Sequence, residues 1–484
     1  MKKVMSFLLA ALLLVLCACG ASESAPTETT TVPAAASVQV GFGEGDITPD
    51  WPIGLQGYGN EATRISTGLQ SYIYIHCVAI TDANDETALI MSIDAGSGGF
   101  EANIRPVIEK KFGIPQDHMI LSAIHQHSTP YGGEQYIALL EKAALEAVEE
   151  ALEDRAPATM HINTVETEAL SFVRHYIAND PAGTIVGDNY NDAIGSQYGY
   201  KGHETESDKE MRLIKFVREG KKPIIMVNFQ AHPHMGAGSS NTNLPADWPG
   251  VMREQVAKNL DAHCMYLSGA GGNLNSTSRI TEENISADFR HHGERAANFV
   301  RMAEDSYTQV ALGDVKVKAI TNAYNTDHSM DHLLPQATII NDLRNKDFDA
   351  AKAEVKNYPE LHSIYHATAI VGKAARGETM EVTIGAISIG DVVFTYHPYE
   401  MFDTNGMELR SGTVGNPNYE ADEQLENPYA MTFVCTLGNG HLGYVPSLLG
   451  YTNGGYSTDI AKLSPGSGER LVADYLQLLN DLHD

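Results

Sequence analysis

The sequence predicts an α/β fold: a mixed sheet core with flanking helices, built as a single large domain. Three observations predict it. Strand-like apolar runs (YIYIHCVAITD, ETALIMSID, HMILSAI) alternate with stretches of helical spacing in the first half of the chain. Strand pairs joined by short polar turns appear further on, as in EMRLIKFV and PIIMVNFQA around Glu219–Lys222. No internal repeat breaks this into smaller units.

The chain opens with a targeting segment. Lys2 and Lys3 precede SFLLAALLLVL, which is too short to span a bilayer as a mature helix. The run closes on Leu16-Cys17-Ala18-Cys19, which resembles a bacterial lipobox. Residues 1–18 are therefore expected to be a lipoprotein signal peptide, with Cys19 lipid-modified as the mature N-terminus. A plain secretory signal cleaved nearby is the other reading, and both export the protein. Residues 19–37, rich in Ser, Thr, Ala and Pro, read as a flexible tether, leaving 38–484 as the folded domain. The expected location is the bacterial cell surface, with the membrane as partner through the lipid on Cys19.

A formal net charge of -29 lacks the basic footprint that nucleic acid requires and opposes docking on anionic lipid. Beyond the leader, Cys77, Cys264 and Cys435 all sit inside apolar runs. They read as buried free thiols, with no disulfide framework and no cysteine metal site.

The elements follow in order. SVQVGFGEGD reads as a short glycine-bearing first strand, and the next two strands meet at a turn over Ala83–Glu86. EANIRPVIEKKFG has helical spacing with Gly113 as its C-cap. EQYIALLEKAALEAVEEALEDRA is the clearest amphipathic helix. ATMHINTV and ALSFVRHYI read as strands, and 179–208 as a long loop. A helix near 248–260, the strand HCMYL and a helix near 282–304 come next. KVKAITNAYN starts a second β region, 346–376 reads as helical, GETMEVTIGAISIGDVVFTYH as a strand pair, and about 467–481 as the last helix.

Four apolar runs end near groups that bind metals. MILSAI leads into His125-Gln126-His127, and PIIMVNFQA into His232-Pro233-His234. Imidazole is the commonest side-chain metal ligand. Strand alternation expects one His of each pair to face a cleft and the other its support. DVVFTYHPY precedes Glu400, a carboxylate that suits either a metal or a helix N-terminus. MTFVCTLGNGHLG precedes Tyr444. His328/His332 and His362/His366 have helical spacing, but Ser329 and Ser363 stand where a zincin needs Glu; they read as surface or lid histidines. No Gly-x-Ser-x-Gly elbow supports a serine hydrolase.

In this order the motifs resemble the catalytic domain of the neutral/alkaline (non-lysosomal) ceramidase family. The resemblance rests on VGFGEGDITP, SIDAG, LSAIHQHSTPYGG, VNFQAHPH, NLPADWPG, GAGGNL, YHPYE, LGYVP and GGYST, and spans about residues 38–482. It implies a Zn²⁺ ion held by His125, His232, Glu400 and Tyr444. It further implies substrate contact by His127 and Arg174, and oxyanion stabilisation by Tyr456. Asn275, in Gly272-Asn273-Leu274-Asn275-Ser276, stands where the family carries a catalytic Ser. Thr129 replaces the Gly of the family's Ser-Gly-Pro, and the family's C-terminal immunoglobulin-like domain is expected to be absent.

The expected function is a zinc-dependent amidohydrolase that cleaves N-acyl, ceramide-like amide bonds with metal-activated water; the partner would be a lipid or other small-molecule substrate. Two alternatives stand beside it: a zinc hydrolase of a different amide or ester, motivated by Asn275, and a noncatalytic lipoprotein that binds a solute at the cell surface.

Overall fold

The computed structural model describes residues 37–484, apart from 60, 98, 188–192 and 415–424. The leader, Cys19 and nearly all of the tether lie outside the described residues. Nine strands form the main sheet: β1 (Gln39–Asp46), β2 (Tyr74–Thr81), β3 (Thr87–Ile93), β4 (Met119–Ala123), β5 (Ala156–Glu166), β6 (Glu210–Arg218), β7 (Ile224–Phe229), β8 (His263–Ser268) and β9 (Thr308–Val310). Their order is β8-β7-β6-β5-β1-β2-β3-β4, with β9 pairing β5. The sheet is mixed: β3 and β4 run parallel, as do β7 and β8, and the other pairs are antiparallel. A second sheet holds β10 (Val315–Asn325), β11 (Thr379–Ile389), β12 (Val392–Tyr396) and β13 (Met431–Cys435) in that order, with only β12 and β13 parallel.

Alternation along the strands sets the layers. One face of the main sheet (Val40, Phe42, Val78, Ile80, Ile214, Phe216) packs on Ile387, Ile389, Phe394 and Phe433 of the second sheet. Its opposite face is covered by helices. Helices α1 (Glu101–Phe112) and α2 (Glu134–Glu153) lie over β1–β4, while α3 (Asp247–Leu260) and α4 (Phe289–Met302) lie over β6–β8. The outer face of the second sheet is closed by the C-terminal helix Ser467–His483, through Leu471, Tyr475, Leu479 and their neighbours. The architecture is helix, sheet, sheet, helix, and burial on both faces explains why the strands read as continuous apolar runs.

The glycines of β1 have a packing reason. Gly41, Gly43 and Gly45 face α2, whose Ala143, Ala147 and Ala151 repeat at i, i+4. A Cβ on these glycines would lie 1.9, 2.1 and 2.1 Å from the carbonyl oxygens of Ala151, Ala147 and Ala143. The helix backbone thus lies almost on the strand backbone.

Several boundaries differ from expectation. Residues 179–208 are not a bare loop: Tyr200–His203, His175–Ala178 and Ile185–Gly187 form a small sheet, and Ala193–Tyr198 is helical. The helix expected from 282 begins at Phe289, because Asp288 caps it by accepting from the backbone N–H of Arg290 and His291. The segment 346–376 is not one helix. With Leu334–Arg344 (α5) it forms a three-helix insert, completed by Phe348–Glu354 (α6) and Ile364–Ala374 (α7), around its own core of Ala337, Ile340, Ala351, Leu361 and Ile370. Cys77, Cys264 and Cys435 are buried free thiols, as read.

Gly43→Ala is expected to lower the unfolding free energy by about 1–3 kcal/mol, measured by urea denaturation. An unchanged midpoint would mean that α2 is free to move away from β1.

Candidate functional site

The segments that bear the His and Glu side chains leave the carboxyl ends of strands that have parallel partners. His125 follows β4, His232 follows β7, Gly269–Asn275 follows β8, Glu400 follows β12, and Leu437–Tyr444 follows β13. Crevices at such strand ends are where open α/β sheets bind ligands. Here the two sheets stack so that their carboxyl ends open into one crevice.

At its floor, His125 Nε2 lies 3.0 Å and His232 Nε2 3.4 Å from Glu400 Oε2. His127 Nε2 lies 3.1 Å from His125 Nε2. One nitrogen from each of His125, His127 and His232 falls within 4.8 Å of the others, close enough to share an ion. The expectation that each His-x-His pair splits between cleft and support is overturned. The strand ends at Ala123, and His125 adopts a left-handed backbone with φ 65°, which breaks the period of two. Both imidazoles therefore face the crevice. His234 also stays near, its ring 5.9 Å from that of His127, because its Nδ1–H donates to the His232 carbonyl at 3.1 Å.

Backbone carbonyls set the tautomers. His125 Nδ1–H donates to Gly96 O at 2.7 Å, and His232 Nδ1–H donates to Leu274 O at 2.7 Å. Each ring is then left with a lone pair on Nε2, aimed at the carboxylate. A carbonyl that takes the far ring proton in this way fixes how a metal-binding imidazole is turned.

Glu400 is held from two sides. Its backbone N–H donates to Gly443 O at 2.8 Å, and Glu400–Met401 pairs in parallel with Tyr444–Val445, so Glu400 and Tyr444 stand side by side in register. The expected helix start is displaced: Glu400 lies in this short strand, and the helix runs from Asp403 to Ser411. Across from it, a Cβ on Gly272 would lie 2.5 Å from the Glu400 carbonyl oxygen, so the Gly271–Asn275 segment needs glycine there. Asn273 and Asp403 lock this contact reciprocally: Asn273 Nδ2 donates to Asp403 Oδ1 at 2.7 Å, and Asp403 N–H returns to Asn273 Oδ1 at 2.9 Å.

The crevice wall carries Arg174, Tyr444 and Tyr456. The Arg174 guanidinium lies 5.3 Å from the Tyr444 ring centre and 5.9 Å from that of Tyr456, and it donates to Ser457 Oγ at 2.5 Å. The two tyrosine rings meet edge to face at 6.0 Å. Asn275 is buried, only 7% exposed, forms a bridge with His232 and pairs with Phe172. Ser276 points to the backbone, its Oγ donating to the His232 carbonyl at 2.6 Å.

Burial disfavours charge on every group here, and neighbours decide the outcome. Burial opposes ionisation of Glu400, yet His125 and His232 hold it well below the usual carboxylate range. Burial likewise opposes a proton on His125, but Glu400 outweighs this and raises it. Burial and the adjacent imidazoles push His127 well down. His232 falls to about 4, chiefly through burial. Burial, then Glu400, raise Tyr444 and Tyr456.

Thus the structure draws His125, His127, His232 and Glu400 into contact, with Tyr444 beside Glu400, Arg174 near the Tyr444 ring and Tyr456 edge to face with it. Sequence reasoning passed over His441, whose Nε2 lies 3.8 Å from Glu400 Oε1, and Ser457 and Tyr58, which touch Arg174 and His127. No spacing rule marks them. It also took His366 for a surface or lid residue. That side chain is 1% exposed and packs with His362 against Asp459.

No protein-family model matches this chain, and no curated protein matches its sequence. Solved structures do. The neutral ceramidase from Pseudomonas aeruginosa superposes with a TM-score of 0.67 at 15% identity, over 92% of this chain and 74% of that one. A ceramidase complexed with C2 gives a TM-score of 0.64 at 15% identity, over 92% and 75%. The chain shares their fold.

In metal-free protein, Glu400→Gln is expected to lower the pKa of His125, because the carboxylate is what raises it. Imidazole titration followed by NMR measures this; an unshifted His125 would remove Glu400 from its control.

Proposed function

We propose that this chain is a zinc-dependent amidohydrolase of ceramide-like N-acyl amides, exported and anchored through a lipid on Cys19. One observation carries the reading: a buried carboxylate faces two imidazoles whose outer nitrogens are already committed to backbone carbonyls. His232 Nε2 and Glu400 Oε2 are buried without a hydrogen-bond partner. Lone pairs converging on an anion out of water are costly unless a cation sits among them. The donors fit zinc, which accepts imidazole nitrogen and carboxylate oxygen in a four-ligand shell.

His125, His232 and Glu400 would hold the ion, with Tyr444 as the fourth ligand. A bound zinc ion supplies Lewis acidity, which polarises an amide carbonyl and lowers the pKa of water to ~7. The remaining work falls to the protein. Arg174 and Tyr456 present donors on the wall, where an amide oxygen gaining charge would need them. Neutral His127 can take a hydrogen bond or a proton at Nε2. Gly96 O and Leu274 O keep both ligand rings from turning. Exposed Ile65 and Tyr131 flank Gly54, on the segment that brings Tyr58 against His127, and offer an apolar rim for an acyl chain.

Asn275 favours a second reading, in which the same centre hydrolyses another amide or an ester. A panel of N-acyl sphingosine, short amides and esters separates the two.

His232→Ala is expected to lose one zinc ion per chain and to abolish hydrolysis of a fluorogenic N-acyl sphingosine. Tyr456→Phe should keep the zinc and lower kcat by about 10²–10³-fold, as for loss of an oxyanion donor. Full turnover by His232→Ala would end the proposal. Zinc affinity should fall as pH drops from about 8 to about 6, because the proton that Glu400 favours on His125 competes with the metal; calorimetry at two pH values checks the sign.

A further inference from the structure

The three-helix insert meets the catalytic wall at a second cluster of metal-ligand type. His362 lies just before Ser363, the N-cap of α7, and His366 lies in its first turn. Their rings are 4.9 Å apart. Asp459 comes from Tyr456–Ile460, the short helix that also carries Tyr456 and the Ser457 bound to Arg174. Asp459 Oδ2 is 2.7 Å from His362 Nδ1 and 3.9 Å from His366 Nδ1. One ligand atom from each residue falls within 4.8 Å of the other two.

We propose that His362, His366 and Asp459 bind a transition-metal ion of the zinc class, separate from the Glu400 centre, which fastens the insert to the helix bearing Tyr456.

The geometry suits such an ion. Adjacent ligands ~2.1 Å from a tetrahedral ion stand ~3.4 Å apart, and the two spacings to Asp459 lie on either side of this. His366 Nδ1 accepts the His362 backbone N–H at 3.3 Å, which places its ring proton on Nε2 and commits its one Nδ1 lone pair to that contact, 3.9 Å from Asp459. That long hydrogen bond is easily given up to a metal. Asp459 is only 10% exposed, and among the described residues its ion-pair partners are these two imidazoles, with no Lys or Arg. His362 is 43% exposed, which gives the ion an entry path and leaves a coordination position for water. Two imidazoles and one carboxylate select zinc, cobalt or nickel over calcium or magnesium, which take oxygen ligands.

The location gives the ion a task. A cavity of about 550 Å³ lies between Leu361, Ile364 and Tyr365 of the insert and Tyr456 of the wall, with His362 in its lining. The Tyr365 and Tyr456 rings meet edge to face at 6.1 Å. A metal at Asp459 would hold the insert shut on that cavity and Tyr456 in its orientation.

The test strips the full chain with a chelator and titrates it with zinc, counting ions per chain by calorimetry and elemental analysis. Wild type should take two. His362→Ala and Asp459→Asn should each take one, and the pair His362→Ala with His232→Ala should take none. His362→Ala changes a half-exposed side chain before the helix, so its fold should hold; circular dichroism and the Asp459→Asn variant guard against the contrary. If both variants bind as many ions as wild type, the cluster is an imidazole–carboxylate hydrogen bond and the proposal falls. Failure of the Glu400 centre reads differently: His232→Ala would then match wild type, while His362→Ala would still lose an ion.

Discussion

A carboxylate buried among imidazoles governs this molecule. Glu400 is 6% exposed and faces His125 and His232 across 3.0 and 3.4 Å. An ionised carboxylate in such a place costs several kcal/mol unless positive charge meets it. Glu400 raises His125 against the effect of burial, while burial, reinforced by the neighbouring imidazoles, lowers His127 and His232. A divalent cation would meet the same demand. The carbonyls of Gly96 and Leu274 make the arrangement directional, because they commit the outer nitrogens and leave the inner ones facing Glu400.

The scaffold serves that point. Within the two main sheets three strand pairs run parallel, and the segments bearing His125, His232 and Glu400 leave from their carboxyl ends. Gly272 lets the segment after β8 lie against the Glu400 backbone, and the Asn273–Asp403 pair holds it there. Arg174 links the far wall, since its N–H donates to Asn273 O at 2.9 Å while its guanidinium reaches Ser457. A disturbance at Gly272 therefore reaches Glu400 directly through backbone, and one at Asn273 or Asp403 through short side chains.

Much of the fold was legible. Continuous apolar runs marked the strands, because both faces of the main sheet are buried. The glycines of SVQVGFGEGD marked a strand, although only the structure gives their reason, which is the approach of α2. Local competition hid the rest. Asp288 delayed a helix by capping it, and residues 179–208 pair with a strand that sequence alone could not identify as their partner.

What the sequence by itself determined is where the main strands lie along the chain, the two His-x-His pairs and their placement after apolar runs, because hydrophobic periodicity and strand ends are local properties. Which side each imidazole faces was decided by tertiary structure. A left-handed turn at His125, set by contacts with Gly96 and the crevice, overrides the alternation that the strand alone would impose. The same holds for Asp459 and His366, 93 residues apart in the chain. Nothing local joins them; the packing of the insert on the Tyr456 helix does.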